Sequence, residues 1–284
     1  MLDPIIDPLE FGFMQRAFIA ASLAAIACAI VGTFVVLKGL AFMGDAVAHS
    51  SLAGMATAYT LGGSILWGAM AWVIPASIII TYVSRRTNVM LDTSIGIIYA
   101  GGFALGIIIM SQSDNYGVDL FGFLFGNVLG TSWTDIIIVA TVAAIIILII
   151  IALYKELLFS SYDSTMARVS GVPVILIQYL VPLLIGITTV VALKTVGIVL
   201  VLALLITPAA TAKLLVRKLP IMIATSVIIA LAATITGLYL SFHLDLASGP
   251  TIVLVSTGIF SLVLILSPSK GIAWLRRRGE AKQI

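Results

Sequence analysis

The chain has 284 residues, of which 61% are hydrophobic and only 10% are charged, and its net charge is +3. Soluble globular domains are about 45–50% apolar and about 25% charged, so this composition excludes a soluble globule. A disordered chain is poor in Leu, Ile, Val and Phe and is excluded as well. The 15 basic residues are too few for nucleic-acid binding, and several of them lie in a tail. We therefore expect a polytopic membrane protein.

Apolar windows of roughly 20 residues, long enough for a helix to cross about 30 Å of hydrocarbon, recur along the chain. They predict an all-α transmembrane helical bundle of nine spans, or eight if one is miscounted at the N-terminus. The predicted spans are 16–37, 41–61, 65–83, 93–111, 134–154, 173–193, 196–214, 219–240 and 250–267. The alternating ten-residue segments of a transmembrane β-barrel are not found.

Lys and Arg in the short loops predict the orientation. If the cluster Arg276–Arg278 is cytoplasmic, most other basic loop residues also fall inside, and the acidic loop 112–132 falls outside. Nine spans then place the N-terminus outside and make 269–284 a basic cytoplasmic tail. We interpret 1–284 as a single transmembrane domain.

The second predicted span contains two ionisable residues, Asp45 and His49. An ionisable residue within a transmembrane helix costs about 2.5–3.5 kcal/mol on insertion scales and indicates function by default. Residues four apart share one helix face and lie about 6 Å apart along the axis. If the helix begins near Gly39, Asp45 is about 9 Å deep and His49 about 15 Å deep, close to the middle of the bilayer.

The residues alone leave three roles open for this pair. A carboxylate and an imidazole are ligands for Zn²⁺, Mn²⁺ or Fe²⁺, but two ligands do not complete a site, so a two-fold homodimer would be needed to supply four. A proton relay uses the same residue types. The two side chains can also pair with each other for structural reasons. A second pair, His243 and Asp245, lies two residues apart in a predicted external turn, where we expect solvated side chains rather than ligands.

The cytoplasmic segment 155–172 predicts a short helix between two spans. Asp163 or Ser164 is placed to cap its start, and Gly171 to end it. Its exposed apolar side is predicted to consist of Met166, Ala167 and Val169. Such a helix is either a docking element or a plain linker.

The fourth predicted span has glycine at positions 102 and 106. This small-xxx-small spacing is typical of a helix face that packs closely on a neighbour. An apolar chain with 24 glycines also shows the spacing by chance, so the indication is weak.

The absence of several catalytic motifs narrows the range of possible functions. The chain has no Gly-Lys dipeptide and therefore no phosphate-binding P-loop, so it cannot hydrolyse ATP alone. It also has no His-Glu-x-x-His motif, and neither histidine has a nucleophile elbow nearby. These absences favour a transport subunit over an enzyme.

Five motifs resemble those of the metal ABC transporter permeases for manganese, zinc or iron. The run LKGLAFMGDAVAHSSLAG at 37–54 is similar to the second-helix motif of that family. Four further runs match in order and spacing: FGNVLG at 125–130, DSTMARVSG at 163–171, KTVGIVLVLALLITPAATA at 194–212 and SGPTIV at 248–253. The matches extend from about residue 30 to 268. Where the family often has proline in the first motif, this chain has Ala53, which affects helix bending and not the ligands.

The resemblance implies a homodimeric permease in a bacterial-type cell (inner) membrane, with cytoplasmic ABC ATPase subunits and an external or periplasmic metal-binding protein as partners. It implies that Asp45 and His49 form the metal site of the translocation path, and that no cofactor is permanently bound, because the divalent metal is the substrate. It also implies that the segment coupling to the ATPase contains Asp163, Met166, Ala167 and Gly171. Mn²⁺ is favoured, Zn²⁺ is next and Fe²⁺ third, because the second-span and seventh-span runs look more like the manganese branch. The alternatives are a stand-alone proton-coupled carrier and a non-transporting scaffold.

Overall fold

A computed structural model describes residues 7–87, 89–112 and 128–267, and these residues form α-helices, one 3₁₀ turn and no strand. The helices are α1 (Asp7–Glu10), α2 (Gly12–Lys38), α3 (Ala41–Ser50), α4 (Leu52–Thr60), α5 (Ile65–Arg86), α6 (Leu91–Ser111), α7 (Trp133–Ala152), α8 (Tyr154–Tyr162), α9 (Ser164–Val169), α10 (Val174–Val196), α11 (Ile198–Leu215), α12 (Leu219–Leu244) and α13 (Ser248–Leu266). The 3₁₀ turn is Val128–Gly130. The predicted tail 269–284 and most of the predicted loop 112–132 lie outside the described residues.

Within these ranges, eight helices are long and apolar enough to cross a membrane: α2, α5, α6, α7, α10, α11, α12 and α13. The all-α bundle is therefore confirmed. The second predicted span, 41–61, is not one continuous helix, since α3 and α4 divide it at Ser51. Helix α3, Ser51 and α4 together cover the 20 residues 41–60, about 30 Å of helical rise, which is the length expected of one interrupted span.

Serine hydroxyls accompany the break in this helix. Ser51 Oγ donates a hydrogen bond to the carbonyl of Ala48 at 2.6 Å, and Ser50 Oγ donates to the carbonyl of Val47 at 3.3 Å. Hydroxyls that bond the carbonyls of the preceding turn compete with the helical N–H groups and often bend the helix. The interruption thus falls two residues after His49.

Three helices form the centre of the bundle. The apolar windows of α2, α10 and α11 are 67%, 61% and 56% buried, against 22% for α13. Helix α2 packs against α7, α10, α11 and α12. A Cβ at Gly32 would lie 1.8 Å from the carbonyl oxygen of Leu205, so the backbones of α2 and α11 touch at a point where only glycine fits. Small residues at helix crossings allow this close approach in a membrane.

Helix α6 packs directly on the broken helix. A Cβ at Gly102 would lie 2.8 Å from Ser50 Cβ, and one at Gly106 would lie 2.8 Å from the backbone nitrogen of Ala53. The predicted small-xxx-small packing face is therefore confirmed. It holds α6 against the residues on both sides of the break at Ser51.

Candidate metal site

Helix α3 brings Asp45 and His49 together on one face. His49 Nδ1 lies 3.2 Å from Asp45 Oδ1 and 3.1 Å from the backbone carbonyl oxygen of Asp45. A histidine that donates Nδ1–H to a carboxylate or a carbonyl has its free lone pair on Nε2. Metal-binding histidines usually have one ring nitrogen oriented in this way. The pair therefore holds the imidazole in an arrangement suited to binding a cation through Nε2.

The face that carries this pair is open in a single chain. The side chain of Asp45 is 43% exposed and that of His49 is 23% exposed, and Phe42 on the same face is 72% exposed. Asp45 is four residues and His49 eight residues after Ala41, or about 6 Å and about 12 Å along the roughly 30 Å of α3–α4. Exposing an ionised carboxylate to the hydrocarbon of a bilayer is costly. The face is suited to a protein partner or a water-filled path.

Two aromatic rings from α6 pack against His49. The imidazole is edge-on to Tyr99 at a centroid distance of 5.5 Å and to Phe103 at 5.9 Å, and these two aromatic rings stack on each other at 6.1 Å. They limit the rotation of the imidazole. Neither residue is predicted from the sequence. The only available signal was their spacing of four on the helix that contains Gly102 and Gly106.

One chain supplies two of the ligands that a metal needs. Throughout the part of the chain that the structure describes, no group of three or more His, Cys, Asp or Glu side chains is arranged to hold a metal ion. Zinc usually takes four ligands, and manganese takes up to six. The Asp45–His49 pair is therefore half of a zinc-type site or less, unless a second chain contributes.

The second histidine–aspartate pair is not brought together. His243 lies in the last turn of α12 and not in the predicted turn, and its Nδ1 is 3.1 Å from the carbonyl oxygen of Tyr239. Asp245 follows the helix in the left-handed conformation, with φ of 52°. Both residues are exposed, as the sequence predicts for solvated side chains. Within the described ranges, no ion pair joins the two side chains.

The predicted cytoplasmic helix is present as α9. Asp163 caps it, since its Oδ1 accepts hydrogen bonds at 2.9 Å from two N–H groups of the first turn, one of them that of Met166. Gly171 follows the helix with φ of 82°, and Val172 N–H donates to the carbonyl of Ala167 at 3.0 Å. This six-to-one hydrogen bond is typical of a glycine-terminated helix. The predicted cap and the predicted stop are both confirmed.

One part of the predicted surface of α9 is wrong. Met166 is 57% exposed and Val169 is 80% exposed, but Ala167 is fully buried. Successive residues of a helix point about 100° apart, so Ala167 faces the bundle when Met166 faces outward. The helix packs on α8 and α10 through this side. Its exposed apolar surface therefore consists of Met166 and Val169.

Comparison with known proteins places the chain in a family. Residues 10–267 match the model of the ABC 3 transport family. The chain is 42% identical to the manganese transport system membrane protein MntC of Halalkalibacterium halodurans, over 96% of this chain and 93% of that protein. It is 34% identical to the chelated iron transport system membrane protein YfeD of Yersinia pestis, over 94% and 90%. Among solved structures, PsaBC from Streptococcus pneumoniae in complex with Fab is similar, with a TM-score of 0.85 and 37% identity over 97% of this chain and 100% of that chain.

These likenesses extend over nearly the whole chain, well beyond the motif around Asp45 and His49. Together with the eight helices of membrane-spanning length, they identify a multi-pass membrane protein that is a transport component. The chain therefore belongs to the ABC 3 transport family, and the predicted resemblance to metal ABC transporter permeases is confirmed.

Proposed function

We propose that this chain is the permease of an ATP-driven importer that moves Mn²⁺ into the cytoplasm, with 1–284 forming one permease domain. The observation that carries this proposal is the partly exposed Asp45–His49 pair on α3, in the first half of the interrupted helix α3–α4. Manganese is favoured because the relative named for manganese is more similar to this chain than the relative named for iron. Zn²⁺ and Fe²⁺ are compatible with the same ligand types.

A homodimer adds the second half of the proposed site. Because one chain offers two ligands, a second copy related by a two-fold axis adds two more and brings the total to four, and the open face with Phe42 is available for that contact. Two carboxylates across the axis offset the desolvation of a dication. Neutral imidazoles favour transition metals over Ca²⁺ and Mg²⁺, which prefer oxygen ligands. A shell that stays incomplete binds weakly enough to release the ion.

The proposed cycle couples this site to ATPase subunits in the cytoplasm. The exposed Met166 and Val169 of α9 offer an apolar contact surface for such a subunit. ATP binding and hydrolysis then move α9 and open the Asp45–His49 site to one side of the membrane at a time. An external or periplasmic metal-binding protein delivers the ion. In this orientation α9 and the C-terminus are cytoplasmic.

Transport in proteoliposomes tests the site. The permease is reconstituted with its ATPase subunits, and Mn²⁺ uptake and ATP hydrolysis are measured in the same vesicles. We expect Asp45→Asn to lower uptake at least about 100-fold, because changes in residues that merely support metal ligands already lower affinity or activity 10–100-fold. The matched control Asp245→Asn is expected to stay within about twofold, since Asp245 contacts no ligand set.

Near-normal uptake by a folded Asp45→Asn variant would contradict the proposed site. Uptake that needs no ATPase and stops when a protonophore collapses the proton gradient would instead favour the proton-coupled carrier.

The same vesicles test the docking role of α9. Met166→Asp places a charge on the exposed apolar surface, and we expect about tenfold less transport per ATP hydrolysed with unchanged metal binding. Met90→Asp is the control, because Met90 is 79% exposed but precedes α6. Wild-type coupling in Met166→Asp would contradict the docking role.

A further inference from the structure

A cavity of about 350 Å³ opens beside α9, at the ends of several membrane-spanning helices. Its volume falls in the range of about 300–1,000 Å³ that is usual for small-molecule sites. Its polar lining consists of two cations, five hydroxyls and one amide: Lys38, Arg85, Thr81, Ser84, Ser160, Ser161, Ser164 and Gln178. Among the described residues, its lining contains no Asp or Glu. A cavity with this lining favours an anion.

The two cations reach the cavity from different helices and are held in place. Lys38, the last residue of α2, has its Nζ 3.2 Å from Ser160 Oγ and 3.4 Å from the Ser160 carbonyl oxygen. Arg85, near the end of α5, donates a hydrogen bond to Gln178 Oε1 and lies over the ring of Tyr179 at 5.8 Å. A guanidinium has five N–H donors, so the hydrogen bond to Gln178 leaves donors for a further acceptor.

Cations at helix C-termini also have a simpler explanation, since they complement the helix dipole. Arg86, the last residue of α5, serves that purpose equally well, but it lies over Tyr82 and does not line the cavity. The dipole therefore does not account for the convergence of Lys38 and Arg85 on one cavity. That convergence depends on α10, which packs on both α2 and α5.

We propose that this cavity binds a phosphate-bearing anion, with Lys38 and Arg85 as the charged ligands. The guanidinium matches a phosphate through two parallel N–H···O bonds, and the lysine adds a point charge. The anion is either the headgroup of an anionic lipid or a free phosphate, because both present the same oxygens. Leu40, Leu91 and Val181 in the lining would contact the apolar part of a lipid. Basic pockets between helices at the cytoplasmic side are typical sites for such headgroups.

Lipid binding to the purified full-length chain tests this proposal. Native mass spectrometry compares the retention of phosphatidylglycerol with that of phosphatidylcholine, and ³¹P NMR line broadening reports inorganic phosphate. We expect Arg85→Gln to weaken anion binding about fivefold and Lys38→Gln/Arg85→Gln about 25-fold, since each cation near a membrane surface contributes about a factor of five. Arg86→Gln is the matched control and is expected to stay within about twofold, because Arg86 does not line the cavity.

The two measurements distinguish a lipid headgroup from free phosphate. A lipid headgroup is identified if the chain retains phosphatidylglycerol preferentially and if Arg85→Gln weakens this retention while Arg86→Gln does not. Free phosphate is identified if the ³¹P signal of inorganic phosphate broadens, if Arg85→Gln but not Arg86→Gln reduces this broadening, and if no lipid is retained preferentially. Equal effects of Arg85→Gln and Arg86→Gln, or no binding of either anion, would overturn the proposal. Circular dichroism and elution volume verify that each variant is folded, and the single variant Arg85→Gln leaves the Lys38–Ser160 contact intact.

Discussion

The two histidines of this chain each have an aspartate nearby in sequence, yet the two pairs have different geometry. Asp45 and His49 are four residues apart within one helix, and their side chains approach to 3.2 Å. His243 and Asp245 are two residues apart, a spacing that turns side chains away from each other on a helix. Asp245 has also left the helix, in the left-handed conformation. The same residue types therefore form a candidate site only where the helical spacing makes them converge.

Aromatic neighbours do not distinguish the two histidines. His49 lies edge-on to Phe103 at 5.9 Å, and His243 lies edge-on to Phe242 at 5.6 Å. The difference lies in position along the span. His49 is near the middle of α3–α4, whereas His243 is in the last turn of α12. Spacing and depth together, rather than composition, separate the candidate metal site from an ordinary helix end.

Removing both members of each pair gives the largest expected effect. We expect D45A/H49A to abolish Mn²⁺ uptake, because both ligands of the chain are lost, and H243A/D245A to stay within about twofold. The exchange variant D45H/H49D keeps both ligand types four residues apart on one face. We expect it to recover part of the wild-type initial uptake rate in proteoliposomes, because residues four apart still share one helix face. Complete inactivity of the exchange variant would show that spacing alone is insufficient.

Sequence predicted those features that depend on local patterns. Apolar windows predicted the bundle, the i, i+4 spacing predicted the shared face of Asp45 and His49, and Asp163 and Gly171 marked the ends of α9. Each of these signals is contained within one turn or one span, so no long-range contact was needed.

The features that the sequence did not predict depend on contacts between helices or on the direction in which each residue of a helix faces. The break at Ser51 was not predicted, because many serines in helices bond to a preceding carbonyl without breaking the helix. Tyr99 reaches His49 only because α6 packs on α3. The burial of Ala167 depends on the direction in which a six-residue helix faces, and a shift of one residue changes that direction by about 100°.

A smaller effect is expected where α6 supports the site. We expect Gly106→Ala to lower stability by about 1–3 kcal/mol and to reduce uptake, because the new methyl would lie 2.8 Å from the Ala53 backbone nitrogen. Gly101→Ala on the same helix meets nothing within 4 Å, so we expect no loss of stability there. Thermal unfolding in detergent and initial uptake rates measure both variants. Equal behaviour of the two would contradict a supporting role for the α6 contact.

The smallest effect is expected at the aromatic neighbours, and it tests whether those of His49 have a role that those of His243 lack. We expect Phe103→Leu to raise the Mn²⁺ concentration for half-maximal uptake about threefold to tenfold, because an edge-on aromatic contact contributes about 0.5–1.5 kcal/mol beyond its buried area. This contact is lost from His49, whose rotation Phe103 limits. Phe242→Leu removes a similar ring from His243 and is expected to leave that concentration unchanged. If both variants raise it equally, the effect comes from general packing; if neither does, Asp45 and the backbone carbonyl orient His49 without help from α6.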